Sequence, residues 1–271
     1  MKLRKLKANE AITMKLIDAH SHINSKEFDA DRADVIERMR KEEIGTIVVG
    51  TDYESSKQIV EITKNEPGFF ASIGLHPEDN KKEVFNEELY TKLAEDKSVV
   101  AIGECGLDYY WEKNEEARAR QRDIFRAQIK LALSLDLPLM IHCRNAYEDT
   151  LTILNEYSKE AGARLRGNIH FFAGDVSVAK KFLDVGFTMS FTGVITFASD
   201  YDEVIKYVPL ESILAETDCP YVTPIPNRGK RNEPIFVKYV VAKLAELKGV
   251  SPEEMAEITM NNTSRVFGLN L

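Results

Sequence analysis

The chain has 271 residues, 44% hydrophobic and 30% charged, with 44 acidic against 36 basic side chains and a formal net charge of −8. That length buries a sizeable core in one large domain. The acidic balance excludes a globally basic nucleic-acid surface, but a local site can still handle phosphates if metal ions and a few cations reverse the sign there.

No apolar run approaches the roughly 18 residues of a membrane span. Residues 1–13 carry Lys2, Arg4, Lys5 and Lys7 without the apolar middle of a secretion signal, and read as a polar leader before a domain spanning 14–271. Three cysteines do not make a disulfide framework. The expected setting is cytoplasmic, with no membrane and no obligate protein partner.

Leu16-Ile17 leads into Asp18-Ala19-His20-Ser21-His22, the end of a first strand. Residues two apart on a strand share a face, so His20 and His22 project side by side and suit a divalent metal. A helix follows over 30–43, with Val35, Ile36 and Met39 at helical spacing. Thr46 to Gly50 is a strand buried on both faces. After a helix at 54–65, Phe69 to Gly74 is a strand running into Leu75-His76-Pro77. Residues 83–95 are helical, and the strand from Val99 ends on the carboxylate of Glu104.

The spacing of Ile124, Phe125, Ile129, Leu131 and Leu133 gives a long helix over 114–136. Strands at 137–142 and 167–170 both end in histidine, His142 and His170, with a helix at 146–161 between them. A helix at 175–185, a strand at 186–191 and a helix at 199–207 precede the eighth strand, 213–218, which ends on Asp218. The tail is helical at 233–248 and 252–266, Ser251 standing as N-cap before Pro252. Eight apolar runs alternating with helices predict a parallel α/β architecture, a single (β/α)8 TIM barrel with a C-terminal extra helix. An open doubly wound sheet is the alternative.

Barrel chemistry gathers at the carboxyl ends of the strands. All five histidines of the chain fall there, His20, His22, His76, His142 and His170, together with Glu104 and Asp218. Four histidines and two carboxylates exceed what one tetrahedral ion needs, so the expected centre holds two divalent metal ions. The mixed nitrogen and oxygen donors suit Zn, Mn, Fe, Co or Ni, with Mg less natural. Glu104 is the expected bridge, and Asp218 the ligand that also accepts the proton of the attacking water. The two ions outweigh the two carboxylates by about +2, which favours an anionic substrate such as phosphate.

Asp18-Ala-His-Ser-His22, Gly74-Leu-His-Pro77, Gly103-Glu-Cys-Gly-Leu-Asp108, Ile141-His-Cys-Arg144, Glu216-Thr-Asp-Cys-Pro220 and Arg228-Gly-Lys-Arg-Asn-Glu-Pro234 occur in order along the chain. This series is similar to the motifs of the TatD family of metal-dependent deoxyribonucleases, in the amidohydrolase superfamily. The resemblance runs from about Lys15 to Leu271. It implies a TIM barrel, a divalent-metal centre and exonuclease-type hydrolysis of DNA phosphodiester bonds. It carries the ligand role onto His20, His22, Glu104, His142, His170 and Asp218, and puts His76 beside the scissile phosphate. Two departures are visible. His170-Phe-Phe-Ala-Gly174 lacks the family's hydroxyl at Ala173, and Cys105 replaces an aliphatic residue.

Arg144 shares a face with His142 and is expected to fork onto a phosphate. Arg228, in the basic stretch Arg228-Gly-Lys-Arg231, is a second candidate contact to a nucleic-acid backbone. Asp108-Tyr109-Tyr110-Trp111 either stacks on bases or anchors its loop with buried rings. The competing function on the same fold is amide, lactone or ester hydrolysis, including an aminoacyl ester on tRNA.

Overall fold

In this computed structural model, residues 14–79 and 83–269 are described. The leader read at residues 1–13 lies outside them. Eight short strands carry the buried apolar runs: β1 (Leu16–Ser21), β2 (Ile44–Val49), β3 (Phe69–Ile73), β4 (Val99–Asp108), β5 (Leu139–Arg144), β6 (Gly167–Ile169), β7 (Phe187–Phe191) and β8 (Ile213–Ala215). They pair in sequence order, each parallel to the next. Between them run α1 (Arg32–Lys41), α2 (Tyr53–Thr63), α3 (Glu87–Leu93), α4 (Glu115–Leu135), α5 (Tyr147–Ala161), α6 (Val176–Asp184) and α7 (Asp202–Tyr207). The helices α8 (Val237–Lys248) and α9 (Pro252–Phe267) follow β8. This is the (β/α)8 barrel with one extra helix at the end.

Parallel strands covered by helices are buried on both faces, as in β2 and β4, where every residue is buried. Two layers of core result. The larger one lies between strands and helices. The smaller one fills the barrel interior, where Ile17, Ala19, Ile47, Val49, Met140 and Leu214 meet Val266 and Phe267 at the end of α9. The three cysteines are buried and free. Burial pushes all their thiols up, Cys143 to about 12, despite its hydroxyl contact with Thr150 on α5.

Two strand ends differ from the sequence reading. β4 does not stop at Glu104 but runs on to Asp108, pairing Cys105 to Asp108 with Ile141 to Arg144. Glycine makes that pairing possible. A Cβ at Gly103 (φ 153°) would lie 2.3 Å from the Met140 carbonyl oxygen, and one at Gly106 (φ 132°) 2.1 Å from that of His142. β8 stops early, at Ala215, because the chain beyond it crosses towards β1. The Glu216 amide still donates to Phe191 on β7, but the Asp218 amide donates to the His20 carbonyl at 3.0 Å and the His22 amide to that of Cys219 at 2.9 Å. Asp18 locks the crossing by accepting the Thr217 amide at 2.8 Å and its hydroxyl. These bonds tie β1 to β8 and bring Asp218 against the two histidines of β1.

Candidate metal centre

Local structure sets the histidines on firm supports. Asp52 caps α2 by accepting the Ser55 amide at 2.7 Å, while Ser55 Oγ accepts the Asp52 amide at 3.0 Å. This capping box follows Thr51, whose carbonyl takes the amide of His76 at 2.8 Å. Asn232 Nδ2 donates to the carbonyls of Thr217 at 2.9 Å and Tyr221 at 2.6 Å, pinning the loop that carries Asp218.

Seven of the expected side chains converge at the carboxyl end of the barrel, around Glu104. The Glu104 Oε2 atom faces His20 Nε2 at 3.5 Å and His22 Nε2 at 3.7 Å. Those two nitrogens are 3.0 Å apart, and Asp218 Oδ1 lies 3.8 Å and 3.5 Å from them. The other oxygen, Oε1, faces His142 Nδ1 and His170 Nε2, both at 2.9 Å, with His76 Nε2 at 3.5 Å. His142 Nδ1 and His170 Nε2 are 3.3 Å apart. Ligand bonds of about 2.0–2.1 Å in a tetrahedron place donors roughly 3.3–3.4 Å apart, and the spacings here bracket that value on both sides of Glu104.

Hydrogen bonds on the outer edges of His22 and His142 fix which nitrogen of each faces inward. A carbonyl only accepts, so His22 Nδ1–H donates to Val49 O at 3.0 Å and leaves the Nε2 lone pair pointing at the centre. His142 Nε2–H donates to Asp108 Oδ2 at 3.0 Å, leaving Nδ1 inward. His170 turns Nε2 inward, with its Nδ1 3.4 Å from Glu216 Oε1 but not hydrogen-bonded to it. Glu216 is itself held by the Phe171 amide at 2.7 Å and the Ser190 hydroxyl. Backbone carbonyls and carboxylates in this outer position are the usual partners of metal-bound histidine. The neutral rings then present lone pairs to the lone pairs of Glu104, an arrangement that only a cation between them relieves. A metal ion fits that requirement.

His76 differs. Its Nδ1 accepts the Glu78 amide at 3.2 Å, so the neutral ring carries its proton on Nε2, facing the centre as a donor. That separates it from the ligand-like rings although it lies as near to Glu104.

Charge follows the same geometry. Burial disfavours every ionised form. It prevails at His20, which falls below the ordinary imidazole range, and at His76, lowered to about 4. At His22, His142 and His170 the facing carboxylates outweigh burial and raise the pKa, most of all at His170. Against its own burial, Glu104 is held far below the carboxylate range by His170, His76 and His142, and Asp218 is lowered by the histidines beside it.

The centre opens into a cleft of about 860 Å³ lined by His22, His76, Glu104, His142, Arg144, His170 and Asp218 among others. His20 is fully buried beneath it. Asn145, Phe171, Asp218 and Val222, all on the cleft, hold φ between 44° and 55° without being glycine. Strained residues of this kind gather at functional sites.

Arg144 reaches the cleft, but Arg228 does not line it. Its guanidinium donates to Thr223 O at 3.0 Å and lies 4.0 Å from the Phe197 ring centre. Arg231 is also diverted, forking onto Asp31 at 2.7 Å on both oxygens and reaching Glu233. Asp108 and Glu216 are the residues sequence reasoning passed over. Both stood inside quoted motifs, and both lie at even spacing from a strand-end residue of the centre, Asp108 four beyond Glu104 and Glu216 two before Asp218.

A parallel barrel with a histidine–carboxylate cluster at its carboxyl end defines a class of metal-dependent hydrolases. The family model described as TatD related DNase matches residues 17–268. The chain is 42% identical over 260 residues to an uncharacterized metal-dependent hydrolase, YabD, of Bacillus subtilis, covering 94% of this chain and all of that one. It is 29% identical over 262 residues to a protein of Salmonella typhimurium named 3'-5' ssDNA/RNA exonuclease TatD, covering 93% and 98%. The crystal structure of YJJV, a TatD homolog from Escherichia coli, superposes with a TM-score of 0.86 at 29% identity, covering 94% and 99%. The chain belongs to the TatD family of metal-dependent hydrolases.

Proposed function

We propose that this chain is a phosphodiesterase of the exonuclease type acting on DNA, with two divalent ions that would be held by His20, His22, Glu104, His142, His170 and Asp218. The observation that carries the reading is the division of labour at Glu104. One oxygen is shared with His20, His22 and Asp218, the other with His142 and His170. The second set offers three protein donors, Glu104 Oε1, His142 Nδ1 and His170 Nε2, which would hold an ion there. Ions of the Zn, Mn, Fe, Co, Ni or Mg type bound there supply Lewis acidity and a water acidic enough to attack near neutral pH.

The side chains do the remaining work. Asp218, which lines the cleft, accepts the proton of the attacking water. His76 donates its Nε2–H to an oxygen of the scissile phosphate. Arg144 meets a phosphate with its guanidinium. Asp108 and the Val49 carbonyl keep the rings of His142 and His22 turned inward.

The test is metal-reconstituted protein on single-stranded DNA, with carboxylic ester and amide substrates in parallel. Cleavage from one end, lost by at least a hundredfold in Asp218→Asn, is expected. Turnover of esters or amides in place of DNA would overturn the phosphodiesterase reading and leave a hydrolase of the other kind.

A further inference from the structure

The loop after β4 treats its three aromatics in two different ways. Tyr109 is buried, donating its hydroxyl to Asp149 Oδ2 at 2.7 Å beneath the Arg118 guanidinium. The next two rings turn outward. Tyr110 is 41% and Trp111 66% exposed, set edge to face with centres 4.5 Å apart. Tyr109 anchors the loop, so the exposure of its neighbours is not needed to hold the loop in place. Adjacent exposed large rings at the rim of a cleft mark a contact surface.

The Arg144 guanidinium lies 4.0 Å from the Tyr110 ring centre and 6.0 Å from that of Trp111. Its side chain makes no hydrogen bond or ion pair among the described residues; it stacks on Tyr110 in the field of the Asp108 and Glu78 carboxylates, and its N–H groups remain free for a ligand. Tyr110 and Arg144 both line the cleft. One carboxylate ties this rim to the centre: Asp108 Oδ1 accepts the Tyr110 amide at 2.8 Å while Oδ2 accepts from His142.

We propose that Tyr110, Trp111 and Arg144 form a nucleoside subsite. The exposed face of Trp111 stacks on the base of the nucleotide next to the scissile phosphate, and the Arg144 guanidinium takes that nucleotide's phosphate. The proposal rests on the phosphodiesterase reading of the centre and names the substrate feature it selects. A base inside a duplex has both faces covered by its stacked neighbours, so this subsite takes a base at a chain end or in a single strand. Stacking tolerates any base because each has a π face. Among the described residues that line the cleft, Arg144 is the only arginine or lysine.

Trp111 is the only tryptophan of the chain, which makes its fluorescence a direct probe. The zinc-loaded protein is titrated with a phosphorothioate-capped thymidine hexanucleotide and with an abasic chain of the same length. Quenching by the first and not by the second is expected. Trp111→Ala raises KM for the single strand about tenfold or more, the loss falling in KM rather than kcat, and Trp111→Phe restores most of it. Equal quenching by both chains, or an unchanged KM in Trp111→Ala, would overturn the subsite. Base-dependent quenching with no cleavage of any oligonucleotide keeps the subsite and sinks the nuclease reading instead.

Discussion

Asp108 shows how much one side chain off the centre can decide. By taking the Nε2–H of His142 it selects the ring atom that faces Glu104, which in this histidine is Nδ1, where His20, His22 and His170 present Nε2. Removing such a partner frees the ring to flip or change tautomer and typically weakens metal binding by 10- to 100-fold. Asp108→Ala should therefore lower metal affinity by roughly that factor while leaving secondary structure intact, read by competition with a chelating dye. Unchanged affinity would mean that the ring is held without this carboxylate. His20→Ala, by contrast, should lower the metal stoichiometry by elemental analysis below that of the wild type.

At the scale of elements, most helix starts are written locally. Asp52, Asn86, Asn114, Asp175 and Ser251 each cap the helix that follows by accepting an amide three residues on, the pattern such residues favour before a helix. Asp52→Ala removes half of the capping box of α2 and should cost about 1 kcal/mol in chemical denaturation. The site shares that cost, because the Thr51 carbonyl next to the cap holds the His76 amide. Activity is expected to fall along with stability, and a variant of full stability would show that the cap is idle. Strand ends are less local. β4 extends past Glu104 and β8 stops before Asp218 because neighbouring strands, β5 in one case and β1 in the other, compete for the same amides.

Across the whole molecule, the centre draws on both ends of the chain, from His20 on β1 to Asp218 after β8, at the seam where the barrel closes. A metal bound there clamps the folded state and has no equivalent in the unfolded one. At a free concentration 100 times Kd it adds about 2.7 kcal/mol, which for a chain of this size raises Tm by roughly 5–10 °C. Scanning calorimetry should show that gain on adding Zn or Mn to protein stripped by a chelator. The gain should shrink in His20→Ala. A Tm indifferent to metal in the wild type would remove the basis of the centre.

Much of this was legible before folding was considered. Alternating apolar runs and helical periodicity are local properties, so the barrel, its strand order and the convergence of His20, His22, Glu104, His142, His170 and Asp218 could be read from the chain, with the match to the TatD family's motifs beside them. The extent of the strands, the inward nitrogen of each histidine and the roles of Asp108 and Glu216 could not, because they depend on hydrogen bonds between elements far apart in sequence. The arginines show the limit most clearly. Arg144, Arg228 and Arg231 look alike in sequence, yet Arg231 is taken by Asp31, 200 residues away, Arg228 by Phe197 and Thr223, and Arg144 alone faces the cleft. A long cation goes to whichever partner the tertiary structure brings within reach, and only the tertiary structure shows that Arg144 is the one of the three on the cleft.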